Sequence, residues 1–211
     1  MIVGGVMSPS TGNVMAISTH LKKITSLPVV HRKDFADLLD ELRNTKSRNL
    51  GIGDFLEFVK MVWPAFIEGG HHRIMADAFN RIAEGDLKRL IINMPPRHTK
   101  SEFASHLFPA WYLGKYPDRK VIQTAHTAEL AVGFGRKVRN LVGSYDYQEI
   151  FPDVSLSTDS KAAGRWNTNH KGDYFAIGVG GAVTGKGADI LIVDDPHSEQ
   201  EAAQNDPTVY D

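Results

Sequence analysis

The 211-residue sequence contains no cysteine. That excludes a disulfide framework, a thiolate zinc site and a cysteine nucleophile. An excess of charge is missing as well: 24 Lys and Arg stand against 25 Asp and Glu. No overall field draws the chain to a polyanion, so any phosphate or nucleic acid must be held by a local patch. No apolar run approaches the roughly 18–20 residues that cross a bilayer. The opening Met1–Met7 is apolar but has no basic n-region and is broken by Gly4 and Gly5, which argues against a secretory signal. These absences point to a soluble protein of a reducing compartment. With 42% apolar residues, a chain of this length can hide about 70% of its unfolded surface in a core.

Periodicity is also lacking in residues 1–30, which read as a mobile arm. Phe35, Leu38, Leu39 and Leu42 then fall at helical spacing after a candidate N-cap, Asp34, and predict a short amphipathic helix. Asn44–Gly53 is polar, ends in two glycines and reads as a linker. Residues 1–50 are thus expected to be an arm with one helix, and residues 51–211 the main domain. There, Asp54 caps a helix with Phe55, Phe58, Val59, Val62 and Trp63 on its apolar face, ended by Pro64. A second helix carries Ile74, Met75, Ala78, Phe79 and Ile82, with Gly85 placed to end it.

Leu90-Ile91-Ile92 is expected as a buried strand. The next helix is expected from Phe103, Leu107, Ala110 and Trp111, closed by Gly114. Lys120–Thr124 reads as a strand and Ala128–Leu141 as a helix. A glycine-rich stretch, Gly178–Gly187, precedes Asp189–Val193, the clearest buried strand in the sequence. Strands alternating with helices predict an α/β fold with a mostly parallel sheet covered on both faces.

Two segments carry chemistry. Leu90–Ser101 has the order strand, tight loop, helix start, and its Lys100-Ser101 pair stands where a P-loop places its lysine and hydroxyl. Backbone N–H groups at a helix start surround phosphate, lysine neutralises it and the hydroxyl ligates magnesium. Both glycines of the P-loop pattern are missing, replaced by Met94 and Thr99. Pro95 and Pro96 have no N–H to give, so the donors must come from Arg97 through Ser101, with the Arg97 guanidinium added. Alone, the segment reads equally well as a turn with a solvated basic tip.

The second segment, Ile190–Asp195, is an apolar strand ending in two carboxylates, as in a Walker B strand. Ligands bind outside the carboxyl ends of parallel strands, so both acids should face the crevice that holds Lys100. Asp194 is the candidate magnesium holder. Asp195 stands where many ATPases have a glutamate that activates water; being shorter, it acts alone or with Glu199 or Glu201. By itself, Asp194-Asp195-Pro196 also reads as a polar turn.

Several charged and aromatic residues have plainer readings. His71 and His72 point about 100° apart on a helix and are poor joint metal ligands. His98 either donates to a phosphate or positions the loop. Arg136, Lys137 and Arg139 are either the wet face of a helix or contacts to DNA phosphates. Trp63, Trp111 and Trp166 read as packing residues, with Trp63-Pro64 a possible border of an adenine pocket.

From about Phe55 to Asp211 the sequence resembles the large terminase subunit of tailed bacteriophages. The likeness rests on Met94–Glu102, Gln123–Ala131, Phe134–Arg139, Ala163–Trp166, Thr184–Asp189 and Asp194–His197, taken in one order. The resemblance implies a P-loop NTPase of the additional-strand catalytic-glutamate (ASCE) type, in a family known for P-loops without the usual glycines. It implies ATP and Mg2+ as cofactors, bound by Pro96, Arg97, His98, Thr99, Lys100, Ser101 and Glu102. Ser101 and Asp194 would hold the metal, and Asp195, Arg97 and Lys100 would be catalytic.

The family works as a homo-oligomeric ring around double-stranded DNA, with the prohead portal and the small terminase subunit as partners, in the host cytoplasm and away from membranes. A basic residue acting on a neighbour's ATP would be Lys186 or Arg165. Family members continue into a coupling motif and a nuclease with an acidic metal cluster. This sequence stops at Asp211 without such a cluster, so the ATPase part is expected to be C-terminally truncated and nuclease activity is not expected. Two other readings are a helicase-like NTPase and a ring subunit that hydrolyses little.

Overall fold

The computed structural model describes residues 29–183 and 185–197, with the side chains of 29–32 and 159–161 left aside. The expected arm up to residue 28 and the acids Glu199 and Glu201 lie outside the described residues. The chain divides into two compact units, Met1–Ser47 and Arg48–Asp211.

Helix α1 runs over Val29–Gly53, so the expected short helix and the linker after it are one continuous element. Asp34 lies inside it and caps nothing. Asn44–Gly53 holds only residues a helix tolerates, with its two glycines confined to the last turn, where they cost least. Leu38, Leu39 and Leu42 are exposed.

The following helices match the sequence closely because their signals are local. In α2 (Phe55–Val62) the Asp54 carboxylate accepts from the Glu57 N–H and buries Phe55, Phe58 and Val59. In α3 (Gly70–Glu84) the chain leaves through Gly85 at φ 85°, a left-handed turn that glycine enters without penalty. The buried face of α3 is His72, Met75, Ala76 and Phe79; Ile74, expected there, is exposed. Asn80 ties α2 to α3, accepting from Phe55 N–H at 2.9 Å and donating to Asp54 at 2.7 Å.

Lys100 and Ser101 begin a helix that widens into a π-helical stretch, Glu102–Leu107, before α4 (Phe108–Lys115). Phe103, Leu107, Ala110 and Trp111 are all buried, as expected. Gly114 has a different role from the one expected. It lies within α4, and a Cβ there would meet the Phe151 ring at 2.5 Å, so it permits close packing.

The sheet has the order β2-β3-β4-β1-β5, from β1 (Lys120–Ala125), β2 (Leu156–Lys161), β3 (Arg165–Thr168), β4 (Asp173–Gly178) and β5 (Ile190–Asp194). Helices α5 (Ala128–Val142) and α6 (Tyr145–Ile150) link β1 to β2. β1 pairs in parallel with β4 and β5, but β2-β3 and β3-β4 are antiparallel. The sheet is therefore mixed, an α/β architecture compatible with a P-loop-type fold. The antiparallel half was missed because β2 and β3 are short and polar.

Leu90–Ile92 joins no ladder. Ile91 is 85% exposed, and a groove of about 710 Å³ separates the segment from β5. Without a neighbour in hydrogen-bonding reach, β-branched residues do not make a strand.

Nor is the sheet equally covered on its two faces. In register, Val121, Tyr174 and Ile190 share one face with Gln123, Ala176 and Ile192. This face packs against α5, where Gly135 meets Tyr174 and Ala176. Trp166 stacks on Tyr174 at 5.0 Å and donates to Gly135 O. On the opposite face Leu191 and Val193 are 64% and 53% exposed. The strand expected to be buried on both sides is buried on one.

Candidate functional site

The carboxyl end of β5 turns sharply at Asp195, φ 41°, and His126, just beyond β1, donates its N–H to Asp195 O at 3.2 Å. The tips of β1 and β5 are thereby tied together at the acid pair. Asp194 is buried at 7% exposure, whereas the Asp195 side chain is 73% exposed.

Lys100 and Ser101 arrive from the loop. The Lys100 ammonium lies 2.5 Å from Asp195 Oδ1 and 3.9 Å from Asp194 Oδ1. Ser101 Oγ donates to Asp194 Oδ1 at 3.1 Å. Side chains 93 to 95 positions apart in sequence thus meet at one point. Met94–Glu102 with Asp195, Pro196 and His197 line a cleft of about 700 Å³.

The loop backbone is unusual. Of the four non-glycine residues with positive φ among the described residues, three belong to this site: Arg97 at 64°, Thr99 at 62° and Asp195 at 41°. A left-handed conformation costs an L-residue about 1–2 kcal/mol, and such strain persists where surrounding contacts hold it, often at functional sites. Thr99 is where the P-loop pattern has glycine, so the conformation is kept without the residue that adopts it freely. The His98 ring donates from Nδ1 to Pro96 O at 2.9 Å, which braces the turn. Pro96 and Arg97 are exposed and line the cleft.

Glu102 lines the same cleft, but its carboxylate is engaged elsewhere. It accepts from His106 Nδ1 at 2.6 Å and from Lys137 at 3.2 Å. The His106 hydrogen bond first, against a burial penalty and aided by Lys137, holds its carboxyl down at about 2. Glu102 and His106 stand four residues apart on one face of the π-helical stretch; such stretches recur at functional sites.

The residues proposed to act on a neighbouring subunit lie away from this cleft. Arg165 pairs in register with Phe175 of β4, and the Lys186 ammonium lies 3.5 Å from the centre of the same ring. Of the helix-face cations, Lys137 binds Glu102 and Arg139 reaches Asn140. Trp63 packs on Phe66.

The residue that sequence reading undervalued is His72. It is 5% exposed and its Nε2 lies 2.7 Å from Thr99 Oγ1. Burial, followed by the neighbouring His71, lowers its pKa, with Glu68 opposing. Its place on the buried side of α3, three residues before Met75, was the available signal.

Among the described residues no group of three or more His, Asp or Glu side chains could hold a metal, and no helix is long and apolar enough to cross a membrane. A cation at this site would rest on Ser101 and Asp194 and take its other oxygens from ligand and water. Magnesium commonly binds in that way.

Among curated proteins, the chain is similar to the large terminase subunit of Enterobacteria phage T3. The two are 27% identical over 146 residues, covering 68% of this chain and 25% of that protein. The chain thus spans about a quarter of that relative's length. No family model matches the chain, and no solved structure does. The likeness supports a distant terminase-like relationship.

Proposed function

We infer that this chain carries the ATP-binding and ATP-hydrolysing part of a terminase-type DNA-packaging motor. The observation that carries the reading is the meeting of Lys100 and Ser101 with Asp194 and Asp195 at one cleft. An ammonium, a hydroxyl and two carboxylates of this kind suit a magnesium–triphosphate, because hard oxygen ligands match the cation and the ammonium matches the phosphate. The two acids also differ in burial, which allows them to divide the work.

In this reading Lys100 binds phosphate oxygens, while Ser101 and Asp194 hold Mg2+ from the buried side. The backbone N–H groups from Arg97 to Ser101 face the phosphates at the helix start. The exposed Asp195 orients water and accepts its proton, and the Arg97 guanidinium adds charge at the phosphate. Bound magnesium would neutralise charge that builds on the phosphate oxygens. His98 and Thr99 shape the turn, and Glu102, held by His106 and Lys137, anchors the helix behind it. The similarity to a terminase large subunit supports double-stranded DNA as the substrate moved, a ring of copies, portal and small-subunit partners, and action in the host cytoplasm.

Hydrolysis of ATP with Mg2+ by the chain tests the reading. Lys100→Ala should lower the rate by at least ~100-fold, the scale for losing one preorganised charge donor, with the fold retained by circular dichroism. An unchanged rate in that variant rejects the site. Strand separation without a portal partner would favour a helicase-like NTPase, and ATP binding without turnover a non-catalytic ring subunit.

A further inference from the structure

The left-handed Thr99 is where the nucleotide-binding reading meets its main physical difficulty, since glycine is absent from the loop. The conformation is held from outside the loop. His72, on the first turn of α3, has both ring nitrogens engaged. Gly69 N–H donates to Nδ1 at 2.9 Å, so Nδ1 is an acceptor and the proton sits on Nε2. Nε2–H therefore donates to Thr99 Oγ1 at 2.7 Å, and that hydroxyl, with its own proton, donates to His98 O at 2.6 Å.

Each donor in this chain has one acceptor, and one tautomer of His72 satisfies all three bonds. The imidazole is also fixed in orientation, stacked on Phe103 at 4.7 Å and set against Phe66 at 4.8 Å. Phe103 is fully buried and lies on the helix that begins at Lys100, so the ring touches the loop and the helix start together. A polar group buried this deeply costs stability unless it is hydrogen-bonded, and here its hydrogen bond to another element goes to the strained residue.

We propose that His72 is a positioning residue that holds the glycine-free phosphate loop in its left-handed turn by bonding the Thr99 hydroxyl. It touches no ligand. It substitutes, through a side chain on another helix, for the conformational freedom that glycine gives other loops of this kind. The proposal rests on the nucleotide-binding reading of that loop.

The test is the dissociation constant of ATP with Mg2+, measured by titration calorimetry on the full chain, alongside thermal unfolding. His72→Phe keeps the ring and its stacking but removes both hydrogen bonds, and should weaken binding ~10-fold, the scale of one lost buried hydrogen bond. His72→Gln, with an amide donor near the position of Nε2, should recover most of the loss.

The deciding measurement repeats His72→Phe in a Thr99→Gly background. Glycine adopts the turn unaided, so the ratio of dissociation constants with and without His72→Phe should fall close to one. An equal ratio in both backgrounds means that His72 serves only overall packing, and overturns the proposal. If His72→Phe does not fold, Thr99→Val, which loses the hydroxyl, should bind more weakly than Thr99→Ser, which keeps it; equal affinities of the two variants overturn the proposal. Lys100→Ala separates the two levels. If it leaves ATP affinity unchanged, the nucleotide reading fails and this proposal with it. If it abolishes binding while His72→Phe changes nothing, only the role of His72 fails.

Discussion

The two faces of the sheet are built from neighbouring residues of the same strands, yet they are treated differently. On the α5 side, Trp166 and Tyr174 are fully buried and Ile192 nearly so. Tyr174 Oη donates to Gln123 Oε1 at 2.6 Å, and burial raises the pKa of that phenol. On the other side Phe175 is half-buried beneath Lys186, and Leu191 and Val193 face water. The packed face holds the strands in register, so that Asp194 and Ala125 end side by side and the acid pair points to the loop. Stability is thus concentrated on one side of the sheet, and the candidate chemistry lies at its end.

The sharpest challenge to that contrast is Trp166→Ala. It removes the stacked indole and its bond to Gly135 O, and should cost about 3–5 kcal/mol in urea unfolding. A cost under about 1 kcal/mol would mean that the α5 face does not dominate. Next come two residues adjacent on one strand. Ile192→Ala should cost about 2–4 kcal/mol, whereas Leu191→Ala should stay under about 1 kcal/mol; equal losses would erase the difference between the faces.

The smallest effect is expected from Glu102. Its folded carboxyl lies at about 2, below the ordinary 4.5, so its contribution is present above pH 4.5 and is lost as pH falls through about 2. Glu102→Gln should therefore flatten the acid limb of the stability–pH curve and leave most of the rest of the curve's shape in place. An unchanged acid limb would show that the His106 and Lys137 contacts add nothing.

The parts legible in the sequence and the parts that were not separate along physical lines. Asp54, Gly85 and the apolar residues of α2, α3 and α5 announce their helices because a helix closes its hydrogen bonds within four residues. Val121, Ile122 and Ile190–Val193 announce strands through β-branched runs, and the Lys100-Ser101 and Asp194-Asp195 pairs stand out as charged residues at element ends. The linker reading of Asn44–Gly53 failed because polarity alone does not end a helix. The strand reading of Leu90–Ile92 failed because a strand needs a neighbour.

Residue order by itself determined where α2 and α5 begin, where α3 ends, and which side chains carry charge near a turn. Only the tertiary structure decided that the sheet is mixed, that β5 is open on one face, and that His72 reaches Thr99 across 27 residues. Those outcomes depend on pairing and packing between distant segments. Neither spacing nor composition encodes such contacts, because each forms only after the chain has brought its two partners together.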